Sequence, residues 1–161
     1  MSDNVLICYD GSPSARTAVA QASSLMCHRK VTLLHVWNPV AVAVTDSSDF
    51  SHDHLSLSDE QLNELTRRRA KEIAEEGREL GIDHGLEVNT LVAGNEGSEW
   101  ETILRIADER DASLIVLGAR ERGVPGPTLN SVSTEVLEHS TRPVLVIPAN
   151  GDGLRDAASA A

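Results

Sequence analysis

The sequence predicts a doubly wound α/β fold: one domain, a parallel sheet with helices on both faces. Three observations predict it. Five short, largely continuous apolar runs occur along the chain: Val5–Asp10, Val31–Trp37, Leu86–Val92, Ser113–Leu117 and Pro143–Ile147. Runs of this kind suit strands buried on both faces. Segments of helical period separate them, so the order is β-α-β throughout, and right-handed crossovers leave a doubly wound sheet. The length of 161 residues suits a single domain, and no internal repeat is seen.

Each element has its own warrant. The first strand stops at Asp10-Gly11, and Ser12-Pro13 supplies an N-cap followed by proline at the first helical position. Ala15, Ala18, Val19, Ala22 and Met26 then recur on one helical face. After the second strand, Asn38-Pro39 breaks the chain, and residues 38–57, rich in Ser, Asp and His, read as a mobile loop. Ser58 with Gln61 forms a capping box for a helix whose apolar side is marked by Leu62, Leu65, Ile73 and Leu80. Its charged face reads as a solvated surface, and Gly81 is expected to stop it. A second capping box, Ser98 with Glu101, opens a helix carrying Trp100, Ile103, Leu104 and Ala107. Val132, Val136 and Leu137 lie on a short last helix, and residues 149–161 read as a disordered tail.

Composition narrows the function classes. Hydrophobic residues make up 40% and charged residues 24%, so a packed core is expected. The formal net charge is −11, which repels polyanions, and no nucleic-acid partner is expected. The few aromatics, Tyr9, Trp37, Phe50 and Trp100, make no base-stacking platform. No stretch has signal-peptide or membrane-spanning character, so a cytoplasmic protein with no membrane partner is expected. Cys8 and Cys27 read as buried free thiols.

In a doubly wound sheet, ligands bind beyond the C-terminal strand ends, at the topological switch point. The residues to inspect are Asp10-Gly11, Val36-Trp37-Asn38, Val92-Ala93-Gly94 and Gly118 onward. Gly118–Ser133 leaves a strand, holds three glycines and enters a helix near Ser131. It could cradle an anion with backbone amides, hydroxyls of Ser131 and Ser133, and the charges of Arg120 and Arg122, or be an ordinary capped loop. It matches neither strong phosphate fingerprint. Asp10 could accept bonds from a sugar hydroxyl or an adenine amine, or hold the Asp-Gly turn and the next helix start. A phosphoacceptor role is disfavoured, because Val92-Ala93-Gly94 stands where a receiver domain needs its acceptor Asp. His35 lies inside a strand and reads as a packed, hydrogen-bonded core residue. His52 and His54 lack ligand spacing, so no metal site is expected. No nucleophile elbow or catalytic triad can be argued from spacing, and the sequence does not call for an enzyme.

The chain resembles the universal stress protein A family over about residues 4–148. The resemblance rests on Val5–Ser12, Val31–Trp37 and Ala112–Gly118, and most specifically on Asn130–Pro148 (NSVSTEVLEHSTRPVLVIP). It implies a five-stranded parallel sheet in the order 3-2-1-4-5 flanked by four helices. It also implies an adenine nucleotide, ATP or AMP, with Mg²⁺ as an accompanying ion. Asp10, Val36, Leu117 and Gly118 would stand near adenine and ribose. Ser131, Val132 and Ser133 would stand near the phosphates, with Arg120 and Asn130 as further candidate binding residues of the loop. The nucleotide motif is altered: Glu121 and Asn130 replace two of its glycines, and the interval between them is one residue shorter than the family's. A carboxylate ~5 Å from a phosphate charge costs roughly 3 kcal/mol at an effective dielectric near 20. The alternative reading is therefore a member that binds no nucleotide and works through dimerisation and protein partners. A slow ATPase is a third reading. An apolar fifth strand at a sheet edge invites self-pairing, and the resemblance implies a homodimer through Val144, Leu145, Val146 and Ile147.

Overall fold

Five parallel strands form one sheet in the order β3-β2-β1-β4-β5. The strands are β1 (Asn4–Cys8), β2 (Lys30–Trp37), β3 (Glu87–Gly94), β4 (Leu114–Gly118) and β5 (Val144–Ile147). The helices between them are α1 (Pro13–Leu25), α2 (Asp59–Asp83), α3 (Glu99–Glu109) and α4 (Val132–His139). This computed structural model describes residues 4–26, 29–40, 58–119 and 132–148. The expected fold class and strand order are both found. Most of the 38–57 loop, the tail, Cys27 and residues 120–131 lie outside the described residues.

The alternation of side chains along each strand divides the core in two. Val5, Ile7 and Tyr9 join Val31, Leu33 and Val88 under α1 and α2. Leu6, Leu34, Ile115 and Leu117 join Ile103, Ile106 and Val136 under α3 and α4. The sheet register aligns Leu34 with both Cys8 and Leu91, and Gly118 with Ile147.

Small residues let α1 and α2 lie close to the sheet. α1 buries Ala15, Ala18, Val19 and Ala22, and Ser12 Oγ accepts the Ala15 amide at 3.2 Å. α2 buries Ala70, Ala74, Gly77 and Gly81. A Cβ on Gly77 would stand 2.7 Å from the Tyr9 ring, and one on Gly81 would stand 2.7 Å from Val88 Cγ2. These contacts correct two expectations for α2. Gly81 does not stop the helix; its missing side chain makes room for Val88. The stop is Gly85, at φ +82°, where Leu86 N–H reaches Gly81 O and Gly85 N–H reaches Ile82 O. The apolar side is also displaced. Ile73 and Leu80 pack against the core, Leu62 is half-buried, and Leu65 is exposed, because no residue of α2 before Ala70 is buried.

Two contacts tie down the last two helices. The turn after α3 has the same form as that after α2, with Asp111 at φ 47° in the place of a glycine. Arg142 clamps that turn through Asp108, Asp111 and the Ala112 carbonyl. Trp100 on α3 stacks on His139 of α4 with ring centroids 4.5 Å apart. Leu137 faces outward on α4.

Candidate functional site at the C-terminal strand ends

Order β2-β1-β4 places the switch point between β1 and β4, so the site is built on the residues that leave those strands. Leaving β1, Tyr9 N–H still bonds Leu34 O, and the chain then turns at Gly11, φ +80°. Asp10 is exposed, and its Oδ1 accepts the Ser12 amide at 2.9 Å. The carboxylate thus holds the turn that starts α1, one of the two roles the sequence allowed.

Leaving β4, Gly118 passes against the first turn of α1. A Cβ there would lie 2.5 Å from the Ser14 carbonyl oxygen, so close backbone approach alone demands glycine. Leu117, the residue before it, is buried under α3 and α4. Val36 from β2 and Val132 from α4 pack against the same cluster, as do Cys8, Ala93 and Trp100. Val36, Leu117 and Val132 therefore belong to one apolar cluster, and Asp10 lies beyond the end of β1. Ser133 is half-buried in the first turn of α4. Arg120, Asn130 and Ser131, with Glu121, lie outside the described residues.

Sequence reasoning missed two groups here. Asn95 is buried and joins the ends of β2 and β3: its amide reaches Trp37 O at 2.8 Å, its Nδ2 reaches Asn38 Oδ1 at 2.8 Å, and its Oδ1 accepts from Gly97 and Thr102. The second is Glu99, the first residue of α3, half-buried. Burial, and then the Asp10 charge, push its carboxyl above the usual range. The Ser98 capping box was the available signal, since it marks Glu99 as the residue entering the helix at this end of the sheet. That box is closed from the Glu101 side, whose Oε2 accepts Ser98 N–H at 3.2 Å and Ser98 O–H at 2.6 Å. These bonds hold the Glu101 carboxyl below the ordinary range.

His35 and Cys8 have structural settings. His35 is buried, its Nδ1 donating to the Tyr9 carbonyl at 2.8 Å, as the sequence suggested. Cys8 is a free, partly buried thiol, pushed up by burial and then by Glu99 and Asp10. It is not the nucleophilic thiolate that reaction chemistry needs. Among the described residues the one group with metal-ligand geometry is Glu135, Glu138 and His139, largely exposed on α4. No described helix is long and apolar enough to cross a membrane.

Comparison with known proteins agrees with this architecture. The model of the Universal stress protein family matches residues 1–148. A universal stress protein of Mycobacterium tuberculosis is 26% identical over 89% of this chain and 47% of its own length. The chain thus spans about half the length of the curated relatives it matches. A universal stress protein family structure from Burkholderia pseudomallei has a TM-score of 0.67 at 23% identity, covering 91% of this chain and 96% of that one. One from Arabidopsis thaliana, with AMP bound, has a TM-score of 0.62 at 18% identity, covering 92% and 93%. The match across nearly the whole described domain, on a sheet of the expected strand order, places this chain in the universal stress protein family.

Proposed function

We propose that this universal stress protein binds an adenine nucleotide, ATP or AMP, at the C-terminal ends of β1 and β4, and acts in the stress response by binding rather than turnover. One observation carries the reading: Val36, Leu117 and Val132 belong to one apolar cluster, and Asp10 follows the end of β1, one of the two strands that flank the switch point. An adenine ring needs an apolar wall, and a ribose needs an acceptor beside it. Gly118 leaves the backbone bare there. Arg120, Asn130, Ser131 and Ser133 are assigned to the phosphates, where the N-terminal amides of α4 add partial positive charge. Mg²⁺ would accompany a triphosphate through its phosphate oxygens. The AMP held by the Arabidopsis relative supports an adenine ligand. No residue is assigned as a catalytic base. The proposed setting is the cytoplasm, and the proposed assembly is a homodimer through the β5 edge.

A second reading, a nucleotide-free member working through dimerisation and protein partners, is favoured by one fact. Asp10 already spends an oxygen on Ser12. The test is the nucleotide content of purified protein, followed by calorimetric titration with ATP and AMP, with and without Mg²⁺. The first reading expects saturable binding with Kd in the micromolar range, about −8 kcal/mol, and Glu121→Gly should tighten ATP. No binding up to millimolar nucleotide overturns it in favour of the second.

A further inference from the structure

We propose that Asn38 selects the base: its side-chain amide donates to N1 of the purine ring, so that adenine is taken in preference to guanine or hypoxanthine. The inference rests on the nucleotide-binding reading and adds to it the residue that chooses the base.

A chain of hydrogen bonds fixes which way the amide faces. The Gly97 backbone N–H can only donate, and it meets the Asn95 side chain at 3.1 Å, so the atom it meets is the oxygen Oδ1. The Thr102 hydroxyl meets the same oxygen at 3.3 Å. The other end of Asn95, Nδ2, therefore faces Asn38 at 2.8 Å, and Asn38 must present its oxygen to it. Asn38 is left with its NH2 group, which no described residue accepts. An amide free at both ends can turn over and offer a donor or an acceptor. This one offers donors only.

Asn38 also stands where the base is assigned. Val36 lies two residues earlier in the chain, and the period of two puts both side chains on one face. Asn38 meets Asn95, and Asn95 meets Thr102 of α3, so that face is the α3 face of the sheet. Asn38 is exposed just past the end of β2, and the backbone on either side of it is tied down. Asn95 N–H bonds the Trp37 carbonyl at 2.8 Å, and Asn63 Oδ1 accepts the Val40 N–H at 2.7 Å. An exposed donor held in this way loses little freedom when it meets a ligand.

The chemistry of the ring gives the selection. N3 and N7 accept in adenine and guanine alike, so a donor there cannot tell them apart. N1 accepts in adenine but carries a hydrogen in guanine and hypoxanthine. There two donors would face each other, and the Asn38 amide cannot turn over without breaking its bond to Asn95. Losing one such hydrogen bond is worth about tenfold in affinity.

The test is calorimetric titration of the full chain with AMP, GMP and IMP. The wild type should bind AMP about tenfold more tightly than either GMP or IMP. Asn38→Asp keeps the oxygen that meets Asn95 and replaces the outward NH2 by an acceptor. It should weaken AMP relative to GMP and IMP until the preference is lost or reversed. Its added charge acts on all three monophosphates alike, so the ratio of affinities is the readout. Asn38→Ala should level the three ligands, and the melting temperature of each variant checks folding. Equal affinity of the wild type for AMP and IMP, rejection of GMP alone, or an unchanged ratio in folded Asn38→Asp would overturn the role of Asn38 while leaving the nucleotide reading intact. A wild type that binds none of the three overturns that reading and this inference with it.

Discussion

Asp10 and Tyr9 are adjacent residues whose environments separate two kinds of role. Asp10 is exposed and tied to its own turn, so its chemistry is available at the surface of the candidate site. Tyr9 is buried, with its hydroxyl reaching out to donate to Glu76 Oε1 at 2.8 Å; Arg16 also pairs with Glu76. Burial, then that bond, push the phenol up to about 12. A group whose folded pKa is raised contributes stability that is complete below its unfolded value, near 10, and is lost as pH rises through the folded value. Tyr9 is the single tyrosine in the chain. Its absorbance titration should therefore show a midpoint near pH 12 while the fold holds, and thermal stability should fall as pH rises from about 10. A midpoint near 10 in the folded protein would contradict the Tyr9–Glu76 link.

At the scale of elements, glycines serve two purposes that a sequence does not separate. Gly11 and Gly85 take left-handed backbone at turns. Gly77, Gly81 and Gly118 keep ordinary backbone and serve close packing. The sequence placed the stop of α2 at Gly81, whereas Gly81 packs against Val88 and Gly85 makes the turn. Gly118 has the tightest of these contacts, against backbone that cannot rotate away. Gly118→Ala should destabilise the fold by about 2 kcal/mol through overpacking, with or without nucleotide present. Denaturant unfolding of the ligand-free protein measures this. A loss seen only in ligand affinity would mean that α1 shifts to make room.

For the whole molecule, β5 is an edge of the sheet, with Val144, Leu145 and Val146 half-buried along it. Leu145 and Val144 pack against opposite core clusters, so their side chains are already engaged, and the outer edge offers backbone groups. Antiparallel pairing of two such edges would satisfy them and join two sheets into one. Sedimentation equilibrium at micromolar concentration should therefore give twice the 17.3 kDa chain mass. A monomer there would refute the dimer.

The sequence by itself determined the alternation of strands and helices, the capping boxes at Ser58 and Ser98, and the burial of His35. These follow from periodicity and local hydrogen bonding, which act over a few residues. Strand order was legible through family resemblance, and the altered loop at Glu121 and Asn130 could be read directly as a departure from the family pattern. Tertiary structure alone decided which glycines pack and which turn, because that depends on a neighbour distant in the chain. It also decided that Val36, Leu117 and Val132 share one core cluster, and that Glu99 at the start of α3 is half-buried. Such meetings arise where crossovers bring together the ends of strands far apart in sequence, and desolvation then gives an ordinary surface-type residue an uncommon weight.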